Sequence, residues 1–514
     1  IESGYFKADS TGPHSESLGF RPDYIEFITA QQIEDSDFHE NDPTNNDCPD
    51  NVNGWSEGSV VFDSSGVDKQ FSIGIFRNSD STNGHRTASS TSDVIKNLYS
   101  DQDGYQCGKL EVSVVQPLSG GFEVDIESRN SQYNEIVRYK AYQFPDNMEF
   151  DAGMKKITST GDVNVNLGFQ PANLHIRAGQ QIASKNSNNR HWRDPAGRSK
   201  GYATLDDSGT VTDQQSIGTA SSSDSTNAHR SLASDEHVLN TVYVDQNANV
   251  QGRLEGKITG ADSNGFTMDV ETKSYGSEEV FLYRAWGFSY YDFDIGYKVI
   301  DNEGSKTFNT GFEPDAIDIY AEQQISSINN EVVTSENSGC DNAGGWSNGF
   351  YETDDNRQWA ISTGRTSASQ DSHRYGSTTS EALRNLYSGP DGGNCGEFEG
   401  DVTGASDSGF TMDFNYRDGF DSNYGKEMVY YRAFNFLLAP PQVNELGFTN
   451  ATDEHRFTLV ANISEGSNDV QECEFDAWSE NGNHNMYTNS SYKLNSTHSQ
   501  CIQTIQYDDD SDWQ

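Results

Sequence analysis

Basic residues are what this chain has least of for its size. Its 514 residues carry 34 Lys and Arg against 80 Asp and Glu, a formal charge of −46 and a pI near 4.3. Such a chain repels phosphate backbones and anionic headgroups, so no nucleic acid is expected as a partner. Long apolar runs are also missing. No stretch of about 18 apolar residues occurs, so no transmembrane helix and no membrane insertion are expected. No signal peptide is legible, and the opening at Ile1 rather than Met reads as a processed or trimmed start. A mature type IV pilin, which would open on a long apolar helix, is disfavoured. Cysteine is sparse, at six, and no C-x-x-C spacing supports a metal site. A glycine-rich phosphate loop, an H-E-x-x-H and a Ser/Cys–His–Asp constellation with a suitable fold context are all lacking.

Aromatics, by contrast, are plentiful. The 27 Phe, 25 Tyr and 7 Trp argue against a disordered acidic protein. The acidity is spread along the chain rather than held in a tail. It suits a protein that stays soluble at molar salt, where the Debye length is about 3 Å and self-repulsion is screened.

The chain repeats itself three times. Gly19-Phe20-Arg21-Pro22 returns as Gly168-Phe169-Gln170-Pro171 and Gly311-Phe312-Glu313-Pro314. A Gln-Gln-Ile follows at one fixed distance, at Gln31, Gln180 and Gln323. Between them lie alternating segments, with Ile25, Phe27 and Thr29 on one face in the first copy and Leu174, Ile176, Ala178 and Ile317, Ile319, Ala321 in the others. Period-two alternation marks half-buried strands. Each copy closes on a Gly-Phe element at Gly121, Gly265 and Gly409 and a strand with aromatics on both faces, such as Tyr139-Lys140-Ala141-Tyr142. A short helical turn capped by Ser92 is expected near Val94.

The fold class expected is all-β: three tandem antiparallel β-sandwich, jelly-roll-like domains at 1–146, 147–290 and 291–437, plus a small C-terminal Ig-like module at 438–514, incomplete as an Ig domain. Leu437-Leu438-Ala439-Pro440-Pro441 reads as a linker, and Asp508 to Asp512 as a solvated tail.

The cysteines fall in pairs. Cys48 and Cys107 lie in the first copy, Cys340 and Cys395 in matching places of the third, and Cys473 and Cys501 in the last module. The repeat logic therefore selects Cys48–Cys107, Cys340–Cys395 and Cys473–Cys501 as disulfides, implying an oxidising, extracellular setting. N-x-[ST] sequons at Asn450, Asn462, Asn489 and Asn495 cluster in the last module and read as glycosylation sites.

Three elements invite chemistry. Gly54-Trp55-Ser56-Glu57-Gly58 and Gly345-Trp346-Ser347-Asn348-Gly349 match the G-x-S-x-G of nucleophile elbows, a pattern read as lacking from the middle copy. Ser59-Val60-Val61-Phe62 continues as a strand, not a helix, so the favoured reading is a turn whose Trp packs on the nearby cystine. His85-Arg86, His229-Arg230 and His373-Arg374 recur in all three copies. The three histidines are candidate glycan or metal ligands, against a favoured structural reading in which nearby carbonyls and carboxylates satisfy them. Asp101 and Asp103 in Asp101-Gln102-Asp103-Gly104 resemble the start of a calcium loop but lack its acidic twelfth residue. No cofactor is firmly implied beyond a structural Ca²⁺ or other cation there. Trp55, Trp346 and Trp359 could stack on sugars, although core packing is the commoner fate of Trp.

The G-F-x-P element with its alternating strand, the G-F-T-M-D element and the Tyr-Arg-Ala-aromatic closing strand resemble repeated β-sandwich domains of tail-fibre, spike and turret-type virion surface proteins, most like those of a haloarchaeal tailed virus. The resemblance covers residues 1–436 and carries no catalytic residue over. It implies a non-enzymatic extracellular protein on the virion surface, for host attachment or capsid decoration. Its partners would be other copies of itself as a homo-oligomer, with a trimer as the guess, virion or cell-surface scaffold proteins, and a host surface glycan or S-layer. The alternatives are a structural or adhesion protein of a haloarchaeal cell surface and, less favoured, a glycan-degrading enzyme with two close carboxylates in a groove.

Overall fold

A computed structural model divides the chain into two compact units, Ile1–Asn435 and Phe436–Gln514. It describes residues 1–506 apart from 44–51, 79–83, 101–104, 130–133, 145–147, 193–195, 222–228, 246–248, 275–277, 288–290, 323–324, 330, 335–344, 366–371, 389–393, 418–425, 437–441, 454–455 and 465–498. In the second unit three antiparallel strands are described, Gln442–Asp453, Arg456–Ser464 and Ser499–Gln506. The expected linker from Leu437 to Pro441 and the acidic tail lie outside the described residues.

The first copy contributes β1 (Glu2–Lys7), β2 (Gly12–Ser17), β3 (Tyr24–Ala30), β4 (Phe38–Pro43), β5 (Val52–Asp63), β6 (Gly66–Asn78), β7 (Gly84–Ser90), β8 (Ile95–Ser100), β9 (Gln106–Leu118), β10 (Gly121–Ser128) and β11 (Ile136–Tyr142). A large sheet runs β1-β11-β3-β5-β6-β7 and a small one β2-β10-β9-β8. The other copies repeat both orders with their own strands. Between the sheets of each copy lies a large apolar core. Ile25, Phe27, Val112 and Val124 pack in the first, Leu174, Ile176 and Met268 in the second, and Ile317, Ile319 and Met412 in the third. The all-β, repeated-sandwich architecture legible in the sequence is thus the one observed.

The glycines of the closing motif have a steric cause. Gly121 has φ 156° and Gly265 φ 142°. A Cβ there would stand 2.0 Å from the Glu16 or Val165 carbonyl oxygen.

The expected helical turn near Val94 is not formed. Ser90 Oγ instead donates to Asp93 Oδ2 at 2.6 Å and accepts from Asp93 N at 3.1 Å. That local side-chain turn competes with helix and delivers the chain directly into β8.

The copies are not beads on a string. β4 leaves its own sandwich and pairs with the strand Ser372–Thr378 of the third copy. The strand Ser187–Trp192 of the middle copy pairs with β7 of the first, and Glu331–Thr334 of the third pairs with His229–Ser234 of the middle copy. Each large sheet therefore holds six strands of its own and a seventh donated by another copy. The donations run third to second, second to first, first to third, and so close a ring. A donated strand brings backbone hydrogen bonds that satisfy the recipient's sheet edge.

Candidate functional site

Closing a ring of three sheets places one face of each around a pseudo-three-fold axis. β3 was expected to be half-buried. It is buried on both faces, because its second face meets the other copies rather than water. The equivalent strands Pro171–Gly179 and Ala316–Glu322 are likewise buried almost throughout. The polar side chains on this second face form a dense, buried set of ionisable groups.

Register identifies equivalent positions. Tyr24, Asn173 and Ala316 correspond; then Glu26, His175 and Asp318; then Ile28, Arg177 and Tyr320. On the next strand Trp55, Arg198 and Trp346 correspond, as do Glu57, Lys200 and Asn348. On the closing strand the set is Lys140, Arg284 and Arg432. None of these positions holds the same residue in all three copies.

The differences are complementary. Arg177 Nε donates to Glu57 Oε2 at 2.6 Å, and Arg284 Nη1 to Glu57 Oε1 at 2.8 Å. Lys140 Nζ reaches Glu26 at 2.5 Å and Asp318 at 2.7 Å. Arg432 Nε donates to Asp318 Oδ2 at 3.0 Å. Arg198 Nε donates to Glu322 Oε1 at 3.0 Å, and Lys200 Nζ to Asn348 Oδ1 at 3.1 Å. Five of these seven pairs join two copies. Burial alone would raise the carboxyl of Glu57, but the Arg177 and Arg284 guanidiniums overcome it and hold it well below the usual range. Asp318 follows the same logic with Lys140 and Arg432.

Aromatic faces complete the arrangement. The Arg198 guanidinium lies 4.4 Å from the Trp346 ring and 5.9 Å from Trp55, with Arg177 4.9 Å from Trp55. Tyr24, Phe150, Trp286, Phe293, Phe434 and Tyr142 form a closed cycle of ring contacts, with centroid separations from 4.4 to 6.5 Å. Arg432 lies 4.5 Å over Trp286.

This geometry revises several readings of the sequence. Trp55, Trp346 and Trp359 are almost fully buried and lie against arginines, with Trp359 facing Arg138 at 5.2 Å; Cys48 and Cys340, on whose cystines the first two were expected to pack, lie outside the described residues. Their faces are not open to a sugar. G-x-S-x-G does not lapse in the middle copy: Gly197-Arg198-Ser199-Lys200-Gly201 fills the register. Its serines are tethers between sheets. Ser56, Ser199 and Ser347 Oγ accept from the backbone N of Lys96, Asn240 and Arg384, each at 2.9 Å. The last glycine is set by close approach, since a Cβ on Gly58, Gly201 or Gly349 would lie 2.0, 2.0 or 1.8 Å from a carbonyl oxygen of the small sheet's flank. The motif is sheet-to-sheet packing hardware and offers no exposed nucleophile.

His85, His229 and His373 fall at the starts of the strands that receive a donated arm, opposite His191, Thr334 and Asp42 in register. Their side chains lie outside the described residues. The adjacent arginines have partners. Arg86 Nε donates to Asn188 of the donated strand at 3.1 Å, Arg230 pairs with Glu331 of another, and Arg374 Nη2 donates to Glu397 at 2.8 Å. Asp101 and Asp103 lie outside the described residues. Their counterpart Asp245 accepts from Asn249 N at 2.9 Å, the mark of a local turn. Among the described residues no group of three His, Cys, Asp or Glu is placed to hold a metal.

Cys107 and Cys395 are each disulfide-bonded; Cys48, Cys340 and Cys473 lie outside the described residues. Cys501 is on the strand Ser499–Gln506 opposite Ala461. Asn450 and Asn462 fall on the other two strands of that sheet, and Asn489 and Asn495 lie outside the described residues.

A further polar set recurs in all three copies. Glu135, Glu279 and Glu427 are buried and accept from the hydroxyls of Tyr99, Tyr243 and Tyr387. Glu135 also accepts from Gln32 N at 2.8 Å, anchoring a residue held at φ 66°. Burial outweighs these hydrogen bonds and pushes the Glu135 carboxyl up to about 7. Each glutamate stands four residues before the closing-strand tyrosine, a spacing that could have revealed it. An open cleft of about 700 Å³ beside Asp262 and Asn264 has Asp262 as its one ionisable lining residue.

No protein-family model matches the chain, and no curated protein does.

Proposed function

We propose that the chain is a non-enzymatic extracellular surface protein of a halophilic virus, serving as a fibre, spike or turret for host attachment or capsid decoration. The observation that carries this reading is the strand-exchanged ring. Its ionisable groups are spent on holding three sandwiches together, and the acidic surplus is left to the outside. A protein of net charge −46 built this way resists unfolding by its own repulsion only where salt screens that charge. Binding would rest on several surface loops presented in three-fold array, whose avidity exceeds that of each alone.

The proposed disulfides Cys48–Cys107, Cys340–Cys395 and Cys473–Cys501 and glycans on the last module fit an extracellular setting. Immunogold electron microscopy with antibody to residues 1–435 tests the proposal. Gold on particle surfaces is the expected result. Gold confined to cell envelopes with bare particles would replace it with the cell-surface reading, and turnover of a host glycan by the purified protein would overturn its non-enzymatic part.

A further inference from the structure

The ion pairs around the axis do not balance. Six cationic side chains, Lys140, Arg177, Arg198, Lys200, Arg284 and Arg432, face four carboxylates, Glu26, Glu57, Asp318 and Glu322. Burial raises the Glu322 carboxyl despite the Arg198 guanidinium beside it. The surplus is concentrated around the middle copy. His175 is 1% exposed and its ring lies tilted against that of Tyr202, the centroids 4.7 Å apart. Its Nδ1 meets Arg284 Nη1 at 2.9 Å, so Nδ1 accepts there and Nε2 carries the proton. Nε2 has no partner, nor have Tyr202 Oη, Arg432 Nη1 and both Nη atoms of Arg177. Arg432 lies 5.4 Å from the Tyr202 ring and Lys200 Nζ 5.5 Å from it. Unpaired buried donors cost about 1–3 kcal/mol each, and unpaired buried charge costs more. The carboxylate oxygens Glu26 Oε1 and Glu322 Oε2 are orphaned as well, but the surplus of cations makes an anion the acceptor that these donors call for.

We propose that a small monovalent anion of chloride's class binds on the pseudo-three-fold axis, held by the orphaned donors of His175, Tyr202 and Arg432 and by the charge of Lys200 and Arg177. Burial and then the neighbouring cations depress the proton affinity of both His175 and Lys200, and an anion would counter both effects. Chloride suits such a place because it accepts from several donors at once without demanding a fixed geometry. The site is a product of the fusion of copies, since the middle copy supplies His175, Arg177, Lys200 and Tyr202 while the third supplies Arg432.

Crystals of the whole chain grown in bromide and measured at the bromine absorption edge give the direct test. An anomalous peak within contact of His175 Nε2 and Tyr202 Oη is expected. Density there with no anomalous signal, meaning water, would overturn the proposal. In solution, the thermal midpoint in sodium chloride should exceed that in sodium gluconate at equal ionic strength by roughly 1–2 °C. The variants Lys200→Met and Tyr202→Phe should each shrink this difference. An unchanged difference in both folded variants would place the anion effect elsewhere and refute the assignment.

Discussion

The middle copy and its two neighbours share a sandwich but not an axis. Where the outer copies place Trp55 and Trp346, the middle copy places Arg198; where the first places Glu57, the middle copy places Lys200; where the outer copies place Glu26 and Asp318, it places His175. Three identical chains on a true three-fold axis would bring three glutamates or three lysines together at each level, and like charges in a dry interior cost several kcal/mol. Fusion of the copies into one chain removes that constraint. Acids of one copy can then face bases of another, as Glu57 faces Arg177 and Arg284, and the arginine of one copy can lie between the tryptophans of the others; only the closing strand keeps a base in every copy, at Lys140, Arg284 and Arg432. The middle copy diverged because it is the complement of its neighbours.

Breaking that complementarity should cost most at its most connected acid. Glu57→Gln preserves shape but strips the countercharge from Arg177 and Arg284, and denaturant unfolding at fixed salt should show a loss of about 3–5 kcal/mol. Trp346→Ala should follow at about 3–4 kcal/mol, from the cavity and the lost cation–π contact, while the variant's exposed surface stays unaltered. The Glu135 carboxyl sharpens the contrast between axis and sandwich interior through pH. Its folded value is raised from 4.5 to about 7, so the folded state binds the extra proton and stability falls as pH rises from the ordinary carboxylate range through about 7. Glu57 and Asp318 are depressed, so their contribution is present above the ordinary carboxylate range and is lost as pH falls below it. Glu135→Gln should flatten the stability profile between about pH 5 and 7 by up to roughly 3 kcal/mol and leave the acid limb in place. Asn188→Ala, which removes one acceptor for Arg86 across a donated strand, should cost only about 1 kcal/mol, measurable as a small shift of the same unfolding curve.

The sandwiches were legible because their cores repeat. Ile25 and Phe27, Leu174 and Ile176, Ile317 and Ile319 keep period two in every copy, and Gly121, Gly265 and Gly409 keep a backbone that a Cβ would block. The axis was hidden for the opposite reason. Alternation says that Glu26, His175 and Asp318 lie on one face but not what that face meets, and charge on a strand reads by default as solvent. Comparing copies rewards identity, whereas complementarity selected difference. The donated strands escaped notice for a related reason. Phe38-His39-Glu40-Asn41-Asp42-Pro43, Ser187-Asn188-Asn189-Arg190-His191-Trp192 and Glu331-Val332-Val333-Thr334 share almost no residue, since backbone pairing to a sheet edge asks little of side chains. A cysteine before Gly-Trp-Ser marks only the outer copies, whereas the Gly-Arg-Ser-Lys-Gly of the middle copy keeps the same register without that anchor.

Differential scanning calorimetry of the whole chain tests the ring most directly. Strand exchange and the shared axis predict that residues 1–435 unfold in one transition whose van't Hoff enthalpy equals the calorimetric enthalpy, whatever the second unit does separately. Three resolvable transitions, one for each sandwich, would contradict the account.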